Sequence, residues 1–232
     1  MKIDTTFNFY SDATGWDPDS SSPTLQAYHQ LLWNKTLPCG TPFQLEAAGP
    51  NNSLWHKSHL GEFRLGSDAI SHSYQCRKDK MRITHQIPIQ VAELFALGST
   101  IGAYTLFPNK QIDRQQTINQ ARGTHPEIDD RFDLTLECIR RHYLGEKSPL
   151  TDVLERYGSF FMLFRDFDGY VTFFLLQDLV LAPNQVKFHL PFEGFGSPAQ
   201  IGSVDEYLQY RESVMAFINA RNRRIAAFAE TS

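Results

Sequence analysis

Residues 126–145, PEIDDRFDLTLECIRRHYLG, decide the fold of the second half of the chain. Four apolar residues recur at spacings of four, three and four: Phe132, Leu136, Ile139 and Tyr143. This period places them on one face of an amphipathic helix. The first turn is acidic and the last is basic, which complements the helix dipole, and Gly145 is typical of a helix end. The stretch therefore predicts a helix that packs one face against a core.

The rest of the C-terminal half continues mainly in helical segments. Ser148 followed by proline predicts a helix over residues 150–164, because proline suits the first helical position. Residues 170–180 are largely apolar, which fits a buried helix and a buried strand equally. Residues 186–190 alternate as a strand, and residues 204–228 predict a long final helix.

The amino terminus predicts a strand, a loop and a helix in succession. Three apolar residues alternate with polar ones, as a short strand requires: Ile3, Phe7 and Phe9. Residues 11–19 are rich in turn formers and acids, which predicts an acidic loop. Ser22 followed by Pro23 then predicts a helix that runs to Trp33.

Residues 41–107 contain short β-prone runs separated by Gly, Ser, Asn and Pro. The predicted strands are residues 43–45, 62–65, 69–74, 81–84 and 101–107. A helix over residues 91–97 fits that part equally well, because Ala, Glu and Leu favour helices. Together the segments predict one α+β domain over residues 1–232. Its strand-rich N-terminal half has a mostly antiparallel sheet, and its helix-rich C-terminal half shares an aromatic core with that sheet.

The composition is that of an ordinary globular protein, and it excludes several function classes. The chain has 232 residues, of which 41% are hydrophobic, so it can bury a core without disulfides or metals. A formal charge of −4 argues against strong nucleic-acid binding. The longest apolar run is too short to cross a membrane, and the amino terminus lacks a signal-peptide pattern.

Cysteine usage predicts the compartment. Cys39, Cys76 and Cys138 are three in number and widely spaced, unlike the paired cysteines of small secreted scaffolds. We therefore expect a cytoplasmic protein whose thiols are reduced. A chain of this size that makes its own core is expected to be a monomer or a simple homodimer.

The densest polar segment is residues 117–133, a loop that leads into the predicted helix. Helix starts offer free N–H groups to anions, and Arg122 and Arg131 can clamp a phosphate or carboxylate. With Asn119, these arginines form the candidate ligand-binding set. The same turn carries three acids that repel an anion: Glu127, Asp129 and Asp130. Arg122 therefore either folds back onto these acids in a salt-bridged helix start or reaches outward to a ligand.

Four residues near this segment are the catalytic candidates: His125, His142, Asp133 and Glu137. Histidine transfers protons near neutral pH, and a carboxylate such as Asp130 can orient it. His142 also lies one turn after Cys138, but a mid-helix cysteine beside an apolar face is more typical of packing than of nucleophilic catalysis. Approach of the acidic loop to Arg122 would favour an enzyme, because perturbed charges in a cleft suit catalysis.

The sequence contains no recognised metal or cofactor motif. His56, His59 and His72 match no zinc spacing, and the acids of residues 12–19 fit turns better than an EF-hand. Glycine-rich nucleotide loops are absent. The basic run 221–224 suits a nucleic acid or an acidic protein, and more simply it stabilises a helix end. We therefore expect neither a metal nor a cofactor.

Five segments together carry a resemblance to a group of proteins. They are residues 9–12 (FYSD), 119–123 (NQARG), 130–143 (DRFDLTLECIRRHY), 169–180 (GYVTFFLLQDLV) and 221–225 (RNRRI). The chain resembles an uncharacterised bacterial family of hypothetical proteins of similar length, a full-length domain of unknown function. The resemblance implies a single domain, and it carries no catalytic role to any residue of this chain.

Three function classes follow from these observations. The first is binding of an anionic small molecule or nucleotide at Arg122 and Arg131, and we rank it first. The second is an enzyme that acts on such a ligand through the histidines and carboxylates named above. The third is a protein-interaction or immunity-type partner without catalytic chemistry.

Overall fold

The computed structural model describes residues 2–15, 17–48, 53–182 and 185–231. Its helices are α1 (Pro18–Ser21), α2 (Pro23–Trp33), α3 (Met81–Thr84), α4 (Pro88–Gly98), α5 (Ile118–Thr124), α6 (Phe132–Leu144), α7 (Thr151–Arg156), α8 (Gly158–Met162), α9 (Phe167–Phe173) and α10 (Val204–Thr231). Its strands are β1 (Lys35–Thr36), β2 (Pro42–Phe43), β3 (Glu46–Ala48), β4 (Ser53–Ser58), β5 (Gly61–Ala69), β6 (Tyr104–Pro108), β7 (Val180–Ala182) and β8 (Gln185–Val186). The fold is α+β, which confirms the predicted class.

The main sheet has four antiparallel strands in the order β3-β4-β5-β6. β5 is an interior strand, and its register pairs Ser67 with Leu106 and Asp68 with Thr105. Asp68 is only 3% exposed on this strand. Strands β1 and β2 form one small antiparallel pair, and β7 and β8 form another.

The helix predicted from Ser22 and Pro23 is confirmed as α2. Ser22 Oγ accepts the Leu25 N–H at 3.1 Å, which satisfies a free donor of the first turn. The Asp12 carboxylate accepts the Ser22 hydroxyl at 2.6 Å and the Thr24 N–H at 3.0 Å. These contacts tie the acidic loop to the start of α2.

Two N-terminal strand predictions are wrong. Residues 3–9 form no strand, and the chain instead makes a 3-10 turn over Phe9–Ser11, with Asn8 accepting the Tyr10 N–H. Residues 81–84 form helix α3. A run of four residues fits either the helical or the strand period, so tertiary contacts decide its conformation.

Other predictions for residues 41–107 are confirmed in whole or in part. Residues 62–65 lie in β5, and residues 91–97 lie in α4, which selects the helical alternative there. Of residues 43–45, the strand β2 includes only Phe43, and residues 69–74 leave the sheet after Ala69. Residues 101–103 form a 3-10 turn that leads into β6.

In the C-terminal half, the predicted amphipathic helix is confirmed as α6. The prediction that Glu127, Asp129 and Asp130 form its acidic first turn is wrong, because α6 begins at Phe132 and these acids lie in the preceding turn. The helix ends at Gly145, whose φ of 70° is left-handed and whose N–H donates to the Arg141 and His142 carbonyls. The helix predicted over residues 150–164 is divided into α7 and α8. Both alternatives for residues 170–180 occur, because α9 ends at Phe173 and β7 begins at Val180. The strand predicted over residues 186–190 includes only Val186.

An aromatic cluster forms the predicted core. Its members are at most 4% exposed: Phe160, Phe161, Phe164, Phe167, Tyr170, Phe173 and Phe174. Phe160 meets Phe63 of β5 edge to face with ring centroids 5.7 Å apart, so the cluster joins the helices to the sheet. Full burial of one such ring stabilises the fold by about 1.5–3 kcal/mol.

Helix α10 packs against α4 and against the 3-10 turn Ile101–Ala103. Gly102 permits this approach, because a Cβ there would lie 2.8 Å from the Ile218 carbonyl oxygen. The Gly102 N–H also donates to Asn222 Oδ1 at 2.8 Å. Within the described ranges, no helix has the length and apolar character needed to cross a membrane.

Candidate active site

Arg122 lies in the last turn of α5, and its side chain points into the protein. It is 0% exposed, and each guanidinium nitrogen already donates to a protein acceptor. Nε donates to Thr135 Oγ1 at 3.2 Å, Nη2 donates to the Asp130 carbonyl at 2.8 Å, and Nη1 donates to Asp68 Oδ2 and to the Ala69 carbonyl, each at 3.1 Å. Of the two orientations that the sequence allows, the structure has the one that folds back.

Arg131 is also buried and paired. Its Nη2 donates to Asp133 Oδ2 at 2.6 Å, and Asp133 is 0% exposed. The same Oδ2 accepts the His189 N–H at 2.9 Å. Burial alone would raise the pKa of Asp133, but His189 and Arg131 outweigh it and lower that pKa. This pair therefore fixes the start of α6 against the segment around His189.

The other predicted site residues are dispersed. Asn119 is exposed, and His125 accepts the Glu127 N–H at its own helix end. Glu137 is buried and accepts hydrogen bonds from Arg140 and Arg141 of the same helix, α6. His142, at the end of α6, packs against the aromatic rings of Tyr143 and Phe161. None of the predicted site residues lines the cavity that the fold forms beside Arg122.

Cys138 shares the helix α6 with His142 and is 0% exposed. Burial raises the pKa of its thiol to about 12. A thiol that holds its proton at neutral pH is not a nucleophile. The structure therefore agrees with a packing role for this cysteine.

The cavity has a volume of about 320 Å³ and lies between α1, the segment of residues 71–77 and the end of α4. Six of its lining residues are relevant to its chemistry: Tyr10, Asp17, Asp19, Ser71, His72 and Cys76. A volume of this size suits a small molecule. The acidic loop thus approaches the surroundings of Arg122, which is the arrangement that favours an enzyme.

A one-way chain of hydrogen bonds ends at Asp19. Trp33 Nε1 can only donate, and it donates to His29 Nδ1 at 3.0 Å, so the His29 proton lies on Nε2. His29 Nε2 lies 2.9 Å from Ser67 Oγ, and the Ser67 hydroxyl donates to Asp19 Oδ1 at 3.0 Å. Burial and the charge of Arg221 lower the pKa of His29 to about 3, which keeps the ring neutral.

Asp19 titrates near neutrality because opposing effects act on it. Burial and the neighbouring Asp17 raise its pKa to about 7, despite hydrogen bonds from Ser67 and Ala69 that favour the ionised form. The local backbone holds the carboxyl in place: Asp17 caps α1 and accepts the Asp19 N–H at 3.1 Å. A carboxyl of this pKa can gain or lose a proton at physiological pH.

Asp68 lies behind the cavity, between Asp19 and Arg122. Burial raises its pKa to about 7, although Arg122 acts in the opposite direction. Asp19 and Asp130 add to the upward shift, because two nearby carboxylates disfavour each other's ionisation. Arg122 therefore holds two carboxyl groups in place, and one of them is coupled to Asp19.

His72 and Asp130 form a second acid–base pair at the cavity wall. His72 Nε2 lies 3.1 Å from Asp130 Oδ2, and Arg122 Nη1 lies 3.2 Å from Asp130 Oδ1. Burial would raise the pKa of Asp130, but Arg122 and His72 lower it below its usual value. The ionised carboxylate therefore lies at ion-pair distance from His72 Nε2, which has no hydrogen-bond partner among the described residues.

The backbone around this pair is strained. Tyr74, Asp129 and Asp130 all have left-handed φ angles, of 57°, 47° and 64°. Such angles cost energy in residues other than glycine, and they persist where surrounding contacts enforce them. Tyr74 Oη donates to the Asp129 carbonyl at 2.9 Å, and Lys80 Nζ lies 2.8 Å from Asp129 Oδ2. These contacts hold Asp130 in its position beside His72.

Sequence reasoning missed Asp19, Ser67, Asp68 and His72 as one group. Asp19 and His72 were weighed only as metal ligands, and the described residues hold no group of three or more side chains that could bind a metal ion. Ser71 adds a further signal, since its buried Oγ lines the cavity with no hydrogen-bond partner in the described parts of the chain. Such a hydroxyl can contact a ligand or water.

The fold and this site define an α+β protein with a small cavity walled by titratable side chains. Residues 3–225 match the family described as Family of unknown function (DUF6994), and the chain belongs to that family. This agrees with the resemblance to a full-length domain of unknown function. No curated protein and no solved structure matches the chain.

Proposed function

We propose that this chain is an enzyme that performs general acid–base chemistry on a small molecule bound in the cavity beside α1. Asp19 is the proton-transferring group of this proposal. The observation that carries it is the position of Asp19, which lines the cavity and ends the hydrogen-bond chain from Trp33. A group with a pKa near the working pH is the most effective proton carrier.

In this mechanism the hydrogen-bond chain sets the proton affinity of Asp19. When Asp19 is ionised, Ser67 and Ala69 donate to it and it acts as a base toward the ligand. When Asp19 is protonated, it returns the proton to a leaving group or carbanion. His29 and Ser67 do not line the cavity beside α1, so they act as positioning residues.

His72 is the second proton-handling group of the proposal. Its Nε2 lies 3.1 Å from the Asp130 carboxylate, which in turn is paired with Arg122. Two acid–base groups on one cavity allow a proton to be removed at one atom and delivered at another. Arg122 therefore becomes a positioning residue for the site and not a direct ligand.

The charge of the cavity wall favours a neutral or cationic ligand over an anionic one. Asp17 and Asp19 line it, and Arg77 is already paired with Asp79 and Asp129 at 3.1 Å. Tyr10 packs on Phe95 at 4.9 Å between ring centroids, which provides an apolar surface for a sugar or base ring. A polyhydroxylated or amine-bearing ring compound fits both features.

The test incubates purified protein with a panel of nucleosides, sugars, sugar phosphates and amines, and mass spectrometry measures the consumption of each compound. We expect at least one neutral or cationic compound to be consumed, and Asp19→Asn to reduce its turnover by about 10²–10⁴-fold. Asp152→Asn is the matched control, since Asp152 lies in the first turn of α7, is exposed and does not line the cavity. Equal activity in the two variants, or consumption of sugar phosphates alone, contradicts the proposal.

We further infer that the protein works in a reducing compartment, the cytoplasm, without a stable nucleic-acid partner. Cys39, Cys76 and Cys138 are free, which supports reduced thiols. The acidic formal charge opposes binding to phosphate backbones. Size-exclusion chromatography with light scattering tests the expected monomer or homodimer.

A further inference from the structure

A second cavity, of about 800 Å³, lies on another part of the surface, between β1, α9 and β7. Its wall is mainly apolar, and six of the residues that give it this character are Leu37, Pro38, Val171, Leu175, Leu181 and Phe228. Leu181 is 65% exposed beside it, so the cavity opens to solvent. A cavity of this kind suits an apolar small molecule.

Lys35 brings an amine into this apolar wall. Its Nζ lies 4.9 Å from the Trp33 ring centroid, 4.6 Å from that of Phe173 and 4.7 Å from that of Phe228. The ammonium also donates to the Phe173 carbonyl. The rings and the carbonyl hold the side chain in one orientation toward the cavity.

The aromatic rings and the Phe173 carbonyl favour the ammonium form of Lys35, but burial and the nearby charge of Arg221 disfavour it and outweigh them. In the described ranges, no carboxylate oxygen lies within 4 Å of Lys35 Nζ or of the Arg221 guanidinium. Burial and the charge of Arg221 lower the pKa of Lys35 to about 7, so a large fraction is the free amine at neutral pH. The other charged groups on this cavity are Arg165, Asp166 and Asp168, and Arg165 is paired with Asp166 at 3.2 Å.

We propose that Lys35 is a nucleophilic amine that condenses with an apolar aldehyde or ketone bound in this cavity. The Nζ lone pair attacks the carbonyl carbon and forms a carbinolamine. The carbonyl oxygen then leaves as water with the two amine protons, and a C=N bond remains. The reaction exchanges one amine and one carbonyl for one imine and one water, with no oxidant or reductant.

Two features of the site favour this chemistry. The nucleophile must be the neutral amine, and a lysine without a counterion in an apolar wall supplies it at neutral pH. The apolar wall also retains the carbonyl compound next to Nζ and excludes part of the water that hydrolyses an imine. Carboxylate-bearing carbonyl compounds are disfavoured at the mouth, where Asp168 is exposed.

The experiment uses two probes, 2-naphthaldehyde as the apolar carbonyl and glyoxylate as the charged one. Each is incubated with the full chain at pH 7 with sodium cyanoborohydride, and labelled lysines are assigned by peptide mass spectrometry. Lys57 and Lys147 are internal controls, since their side chains are 63% and 86% exposed. An ordinary lysine is less than about 0.1% free amine at this pH.

We expect 2-naphthaldehyde to label Lys35 at least about tenfold faster than Lys57 or Lys147, with a rate that saturates as the aldehyde concentration rises. Glyoxylate is expected to show a smaller preference and no saturation. Lys35→Met removes the fast label, whereas Lys57→Met retains it. Labelling of Lys35 no faster than the exposed lysines overturns the proposal, and a rate that stays linear in aldehyde concentration overturns the bound-ligand site.

Discussion

Arg122 and Arg221 are both fully buried, yet their environments have opposite charge. Arg122 contacts the carboxylates of Asp68 and Asp130, whereas the acceptors of Arg221 among the described residues are the carbonyls of Gly102, Tyr104 and Phe174. Burial lowers the pKa of both, but the carboxylates reverse the shift at Arg122, while the pKa of Arg221 falls to about 9. At equal burial, the presence of carboxylate counterions decides the direction of the pKa shift of each arginine.

Burial acts on the titrating groups near both arginines. It is the main cause of the raised pKa values of Asp19 and Asp68, about 7 each; nearby carboxylates add to the shift and Arg122 opposes it. Burial is also the main cause of the lowered pKa of Lys35, about 7, and the charge of Arg221 adds to it. The molecule therefore places an acid and an amine near neutrality at two cavities, because burial disfavours the charged form of each.

The largest expected effect is the loss of Arg122. Arg122→Ala leaves Asp68 and Asp130 buried without their cation, so we expect the free energy of unfolding to fall by about 3–5 kcal/mol. Arg165→Ala is the control, because the Arg165 side chain is 73% exposed and its loss should change stability by no more than about 0.5 kcal/mol. Urea unfolding measures both, and equal losses would contradict the proposed role of the acidic cluster.

The pH dependence of the free energy of unfolding tests the raised pKa of Asp19. The folded state keeps a proton on Asp19 that the unfolded chain, with a pKa of 3.8, has released. This stabilisation is complete below the unfolded pKa and is lost as the pH rises through about 7. Between pH 5 and 8, wild type should therefore lose about 2 kcal/mol relative to Asp19→Asn. A stability difference that is constant across this range in urea unfolding rules out the raised pKa.

The Arg221→Met variant tests how much the charge of Arg221 lowers the pKa of Lys35. Removing the buried charge should raise the pKa of Lys35 toward the ordinary value of 10.5. The midpoint of reductive labelling of Lys35 against pH reports this change. Arg223→Met is the matched control, because Arg223 is an exposed arginine of the same helix. An unchanged midpoint in Arg221→Met shows that burial alone lowers the pKa.

The smallest effect is a difference between two thiols. Cys76 lines the acidic cavity with Asp17 and Asp19, whereas Cys39 follows Pro38 of the second cavity, and a hydrogen bond with Thr41 lowers the pKa of Cys39. A dianionic disulfide reagent should react a few-fold faster at Cys39, with rates assigned in single serine variants. About 0.5 M salt should narrow the gap. A faster reaction at Cys76 would show that Asp17 and Asp19 do not repel the reagent from the cavity beside α1.

The elements predicted from sequence are those with a strong local signal. The period of α6 and the cap at Ser22 depend on residues close in sequence, and both are confirmed. The segment of residues 81–84 is too short to define a helical or a strand period. It is helical in the structure, where it lies between the 3-10 turn Lys78–Lys80 and α4.

The site was less predictable, because its contacts join residues that are distant in sequence. Arg122 was singled out correctly as either paired or ligand-facing, but its partner Asp68 lies 54 residues earlier. Asp19 and Ser67 are separated by 48 residues, and nothing local to either indicates their contact. The basic run at 221–224 suggests a surface for a nucleic acid or an acidic protein or, more simply, a helix end. Arg221 is nevertheless 0% exposed and donates to the carbonyls of Gly102, Tyr104 and Phe174, which are distant in sequence.

The central claim is that Asp19 carries a titrating proton at neutral pH. The direct measurement is a carbon-13 NMR titration of the aspartate carboxyl carbons in the full chain, with the Asp19 signal assigned by its absence in Asp19→Asn. The account predicts a midpoint of about 7 for that carboxyl. A midpoint close to the ordinary value of 3.8 would show that Asp19 stays ionised throughout the physiological range, and would contradict its role as the proton carrier.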